Sequence, residues 1–364
     1  MNLVFLLDPV LNMVDRTILI SIVLILIAMY IAYRLKDRTK ALFGAAYPNA
    51  RYSAMGNEFI TRGGVGRVVG ARSLQEALSA ASSKDFSFHG DDMDLIDREL
   101  DDYLTRVIDM VKDEMPISTS PIFDMFLLRH ELFTLKRIIR ATYHRNEWEA
   151  NPVGTLDHKT LQLLKDVDDL NDLQFILRFT SYGPRIAEAF SDGIPDLEEL
   201  DPILDAYYYE QLHETIEDIK VWKRPYREYL NFYSDIQNIK LVLRIREMGG
   251  ELEPDVIISS GRGIGEWELQ QMAAAETFNE SIRHLQATKY EMVSDNIFNA
   301  EKELDRKLLK LTLDLAQRYI NTAGPSLHFV QSRAMEIQNL RKVFRGISEG
   351  IPAADIEKEL VLID

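Results

Sequence analysis

Asp235-Ile-Gln-Asn-Ile-Lys-Leu-Val-Leu-Arg244 is a ten-residue pattern that the chain carries three times. Its counterparts are Glu131-Leu-Phe-Thr-Leu-Lys-Arg-Ile-Ile-Arg140 and Glu336-Ile-Gln-Asn-Leu-Arg-Lys-Val-Phe-Arg345; the three align without a gap, their starts 104 and 101 residues apart. At about 100° per residue, Ile236, Ile239, Val242 and Leu243 share one helix face, as do Leu132, Leu135, Ile138 and Ile139, and Ile337, Leu340, Val343 and Phe344. That face is core. The acid and Asn238, Asn339 or Thr134 flank one edge of it. Lys136 and Arg140, Lys240 and Arg244, and Arg341 and Arg345 flank the other. Acids at the start and bases toward the end also suit the helix dipole, at ~0.3–1 kcal/mol per well-placed charge. Two readings of these edges stand side by side. They are solvated or dipole-matched charges beside a core stripe, or the acid edge of one helix meets the basic edge of another inside each unit.

Two further series accompany the first. Ile96-Asp97-Arg98-Glu99-Leu100, Leu200-Asp201-Pro202-Ile203-Leu204 and Leu304-Asp305-Arg306-Lys307-Leu308 lie upstream of each copy, their aspartates 104 residues apart both times. Before these, three looser segments end in an aromatic: Phe86, Tyr182 and Tyr290. Three landmarks in one order, three times over, describe a triplicated helical unit of about a hundred residues. From residue 41 on, apolar residues recur at i, i+3, i+4 and i+7, no strand series emerges, and prolines such as Pro48, Pro121, Pro184, Pro202, Pro225, Pro325 and Pro352 read as helix boundaries or first-turn positions. The expected fold is all-α, about a dozen helices in three similar domains: residues 41–147, 148–250 and 251–364.

Residues 1–40 form a separate segment. Thr17 to Tyr33 is an uncharged run of 17 residues, about 25 Å of helix at ~1.5 Å per residue against a hydrocarbon core of ~30 Å. Arg34, Lys36, Arg38 and Lys40 follow it, whereas Arg16 is the one base before it. Tyr30 and Tyr33 sit where interfacial aromatics would. The expectation is a single transmembrane helix contacting membrane lipid, with the C-terminal bulk on the cytoplasmic side of the cell membrane. A cleaved signal peptide would carry its bases before the apolar run, and a buried core helix would show a polar stripe.

The 364 residues hold 42 Lys+Arg against 58 Asp+Glu, a net charge of −16, which disfavours nucleic acid as a partner. The chain has no cysteine, which excludes disulfides, Cys-ligated zinc and a cysteine nucleophile. The seven histidines form no H-x-x-x-H or H-E-x-x-H pair, and neither a G-x-S-x-G elbow nor a phosphate-binding P-loop occurs. The glycine clusters Gly63–Gly70 and Gly261–Gly265 lack dinucleotide spacing and read as loops ahead of helices. The aspartates at 91, 92 and 94 and at 166, 168, 169 and 172 read as helix N-caps and solvated faces. No catalytic residue, metal site, cofactor or small-molecule substrate is expected.

The central decapeptide Asp235–Arg244, the stretch Tyr47-Pro-Asn-Ala-Arg-Tyr-Ser-Ala-Met55, and Ser332-Arg-Ala-Met-Glu-Ile-Gln-Asn-Leu-Arg341 with Gly350-Ile-Pro352 together resemble the family of C subunits of archaeal A-type (V-type) ATP synthases, whose eukaryotic relative is the d subunit of the vacuolar ATPase. The resemblance covers residues 47–364. It implies a pseudo-threefold, funnel-shaped, all-helical protein without catalytic residues. It also implies a central-stalk role, coupling a membrane proteolipid ring to the central shaft for ATP synthesis driven by proton or sodium transport. The ring and the other stalk proteins would be its partners. The competing expectation is a membrane-anchored helical scaffold for an unrelated protein, which an open solenoid rather than a closed unit would favour.

Overall fold

The computed structural model describes the chain apart from residues 1–3, 84–85, 91, 168, 192, 194–196, 220, 253–256, 259–260 and 364; the side chains of residues 4–17, 19, 34 and 197–199 are likewise outside the description. Expectations resting on Asp91 and Asp168 therefore fall outside the described residues. Among the described residues the architecture is all-α, with 15 α-helices. An isolated bridge between Val153 and Leu156 is the nearest approach to β structure among the described residues.

After α1 (Val4–Met55), short helices lead three times into a long pair. The order is α2 (Arg62–Val69) and α3 (Leu74–Ala81) before α4 (Met93–Glu114) and α5 (Ser120–Tyr143). Next come α6 (His158–Lys165), α7 (Leu170–Leu177) and α8 (Gly183–Ala189) before α9 (Leu197–Asp218) and α10 (Lys223–Met248). Last are α11 (Glu266–Ala274) and α12 (Phe278–Arg283) before α13 (Ile297–Arg318) and α14 (Gly324–Ser348), with α15 (Ala353–Lys358) behind. The repeated aspartates lie on α4, α9 and α13, and the repeated decapeptides on α5, α10 and α14.

Local chemistry explains the boundaries. Asp92, Asp157, Asp169, Thr277 and Asn296 each accept a first-turn backbone N–H and cap α4, α6, α7, α12 and α13. Pro121, Pro184 and Pro325 occupy first turns, where a missing N–H costs nothing. Two prolines read as boundaries are internal instead. Pro48 lies within α1 and Pro202 within α9, where the buried faces of Ala45 and Tyr52, and of Leu204, Tyr207 and Tyr208, hold the helix through one lost backbone bond. The first glycine cluster is likewise helix rather than loop. Thr61 caps α2 by accepting from Gly64 N, and Val65, Val68 and Val69 bury its other face.

The core is one continuous apolar cluster from Ala45 to Leu362. The C-terminal part of α1 belongs to it: Tyr52 stacks on Phe329 at 4.9 Å and donates to Glu114 Oε2 at 3.0 Å. The expected transmembrane anchor at residues 17–33 falls partly outside the described residues, because the side chains of residues 17, 19 and 34 are not among them. Among the described residues no helix is long and apolar enough to cross a membrane. The described side chains of this run, including Ile20, Leu24, Ile27 and Ile31, are solvent-exposed on every face.

Candidate functional site: the acid junctions of the repeated helices

The first residue of each decapeptide is the centre of a buried polar junction. Glu131, Asp235 and Glu336 are 3%, 1% and 0% exposed, so the reading of these acids as solvated charges does not hold. A carboxylate removed from water needs donors, and each finds them on a segment far along the chain. Glu131 accepts from Thr155 N at 3.1 Å, from the Thr155 hydroxyl, and from Tyr182 Oη at 2.9 Å. Asp235 accepts from Gly263 N at 2.9 Å and from the Tyr290 hydroxyl. Glu336 accepts from Phe59 N at 2.8 Å and from Arg333 Nη1 at 2.9 Å.

These donors include the third landmark series. Tyr182 and Tyr290 bring hydroxyls to the acids of the preceding copies. Phe86, at the same place in the first copy, has none, and Arg333 takes over as donor to Glu336 with its guanidinium 5.9 Å from the Phe86 ring. Burial pushes the Glu131 carboxyl above the usual carboxylate range, against the lowering pull of Thr155 and Tyr182. Burial, then the neighbouring acid, raises the Tyr182 and Tyr290 hydroxyls. Gly154 and Gly261 lie where a Cβ would collide with the Glu131 and Asp235 carboxylates, and Gly154 has φ +58°. The second glycine cluster is therefore a close backbone approach to a buried acid.

The asparagines are buried partners of backbone. Asn238 donates to Ile258 O at 3.0 Å and accepts from Ile258 N at 2.8 Å; Asn339 does the same with Val361 at 2.9 and 3.0 Å and also donates to Phe59 O at 2.9 Å. The bases lie on the other edge. Lys136 pairs with Asp205 at 2.7 Å and Arg140 with Asp201; Lys240 pairs with Asp305 at 2.7 Å and Arg244 with Glu301 at 2.6 Å. Arg341 reaches Asp97 at 2.8 Å and Asp101 at 2.6 Å, and Arg345 reaches Asp97 at 2.9 Å. Burial opposes the charge of Arg341, yet Asp101 and Asp97 hold its guanidinium above the ordinary range.

The basic edges thus meet acids of the helices that carry the repeated aspartates rather than the acid edges of the decapeptides, and they do so across copies rather than inside each unit. The basic edge of α5 faces α9, that of α10 faces α13, and that of α14 faces α4. Each decapeptide reaches forward to the aspartate helix of the next copy, and the third reaches back to the first. The sequence displayed both series of charges. What it withheld was their pairing, because a helical wheel shows edges and not neighbours.

Elsewhere the polar clusters are structural. His130 is buried beside α4, and burial lowers its pKa. Tyr207 and Tyr208 are core residues of α9. Among the described residues no group of three or more His, Asp or Glu could hold a metal ion.

An all-helical chain knit by junctions between three copies of one sequence pattern has the character of a structural component of a larger assembly. Residues 48–359 match the profile of the ATP synthase (C/AC39) subunit family, and the chain belongs to that family. It is the non-catalytic C subunit of an A-type ATP synthase, homologous to the d subunit of the vacuolar ATPase. Among relatives, the A-type ATP synthase C subunit of Haloferax volcanii is 24% identical over 354 residues, covering 92% of this chain and 97% of the relative. The C subunit of Methanocaldococcus jannaschii is 22% identical over 342 residues, covering 87% of this chain and 86% of the relative. That of Methanothermobacter thermautotrophicus is 25% identical over 355 residues, covering 88% of both.

Proposed function

We propose that this chain is the coupling piece between the proteolipid ring and the central shaft of an A-type ATP synthase, seated on the cytoplasmic side and turning with the ring as proton or sodium flow drives ATP synthesis. The observation that carries the reading is the family match over residues 48–359. In this reading residues 41–147, 148–250 and 251–364 are three similar domains about a pseudo-threefold axis, forming a funnel. The forward-reaching pairs of α5 with α9, α10 with α13 and α14 with α4 support a closed arrangement over an open scaffold. The repeat positions Glu131, Lys136, Arg140, Asp235, Asn238, Lys240, Arg244, Glu336, Asn339, Arg341 and Arg345 then serve stiffness rather than chemistry. A coupler transmits torque, and buried, hydrogen-bonded polar junctions resist local opening.

Purification of the tagged full-length protein from its native membrane in mild detergent tests this. Co-purifying nucleotide-binding head proteins and a proteolipid, with ATPase activity in the complex and none in the separated chain, are expected. Recovery of unrelated proteins alone would overturn the assignment.

A further inference from the structure

Two of the three junctions are crossed by the polypeptide itself, and the third is not. Chain continuity carries α5 on to Thr155, and α10 on to Ile258 and Gly263. Nothing in the chain order joins α14 to Phe59, which lies 277 residues before Glu336. The segment behind α14 makes the contacts that a linker makes elsewhere. Asn238 brackets Ile258, 20 residues downstream; Asn339 brackets Val361, 22 residues downstream, through the same pair of hydrogen bonds. After Ile258 the chain runs on to Gly263, whose N–H reaches Asp235. After Val361 the corresponding amide belongs to Phe59, and the gap is bridged by Ile363 N donating to Ile60 O at 2.9 Å.

The segment is held along its length. Lys302 donates to Lys358 O, Lys342 Nζ to Glu359 O at 2.8 Å and Arg306 Nε to Leu362 O at 3.0 Å. Val361 packs with Ile60, Leu309 and Met335 in a small apolar cluster set apart from the main core, with Ile363 against it.

We propose that residues 359–363 are a latch, a non-covalent replacement for the missing linker that clamps residues 58–69 onto α14 and closes the cycle of junctions. Being the junction without a covalent crossing, it is where the cycle opens when the latch is released. The residues on either side of the splice, Phe59–Ile60 and Val361–Ile363, separate together, while the α5 and α10 junctions stay shut.

Hydrogen exchange on the full chain tests this with three variants: deletion of 360–364, Ile363→Pro, which removes the donor to Ile60 together with the Ile363 side chain, and Asn238→Ala as the control at a linked junction. The deletion should accelerate exchange across residues 58–69 by about tenfold or more, and Ile363→Pro should do so to a smaller degree, while residues 223–248 keep their protection. Asn238→Ala should leave residues 58–69 protected. Unchanged exchange at 58–69 in Ile363→Pro, or acceleration spread evenly over the chain, would overturn the latch; if the deletion does not fold, Ile363→Pro alone decides.

Discussion

Glu131 shows what a single position in the repeat contributes. Its carboxyl is out of water, and its three hydrogen bonds do not fully offset that burial, so its folded-state pKa is raised above the ordinary 4.5. For an acid raised in the fold, the associated stability is full below the unfolded pKa and is lost as pH climbs through the folded value. Glu131→Gln removes that loss. The stability of the variant relative to the native protein should therefore improve as pH rises above about 4.5 in urea titrations, and a flat difference would show that the carboxylate is comfortably ionised. His328 responds in the opposite sense. Burial lowers its pKa to about 4, so it is held neutral beside Thr312 and Ser332, and its stability is full above the unfolded value of 6.5 and lost as pH falls toward 4. The sequence exposed Glu131, Asp235 and Glu336 as a series but not as buried groups. A wheel puts them at the edge of the stripe, and only the tyrosines at 182 and 290, following the acids by 51 and 55 residues, carried a signal of what meets them.

At the scale of elements, the glycines separate backbone freedom from close approach. Gly66 lies in α2 with open space around it, so Gly66→Ala should raise stability by about 0.5–1 kcal/mol through the unfolded chain's entropy. Gly154 combines φ +58° with the Glu131 carboxylate at the place a Cβ would fill, so Gly154→Ala should cost about 2 kcal/mol or more. Thermal melts of the two variants should move in opposite directions; a loss at both would mean that helix α2 does not tolerate a side chain at 66. Helix content and capping were legible here because they are local: Asp92 and Asp169 cap as their spacing implies. Pro48, Pro202 and the Gly63–Gly70 run depart from their local reading because tertiary burial overrides breaker propensity.

The molecule as a whole is a set of long-range ties. Glu336 to Phe59, Arg341 to Asp97 and Asn49 Nδ2 to Thr322 O at 2.6 Å all join the last copy to the first part of the chain. Such ties make distant segments move as one body, which is what transmission of rotation demands. The repeated landmarks themselves were legible, because their spacing along the chain is regular. The forward reach of each copy to the next was not, because identical units give no indication of whether a charged edge pairs within a copy or across two. Coupling is tested most directly by ion-driven ATP synthesis in native membrane vesicles depleted of this chain. ATP hydrolysis by the head should persist, while ATP synthesis driven by an imposed proton or sodium gradient should be lost and should return when the full-length protein is added back. Gradient-driven synthesis at the undepleted rate in vesicles lacking the chain would contradict the coupling role.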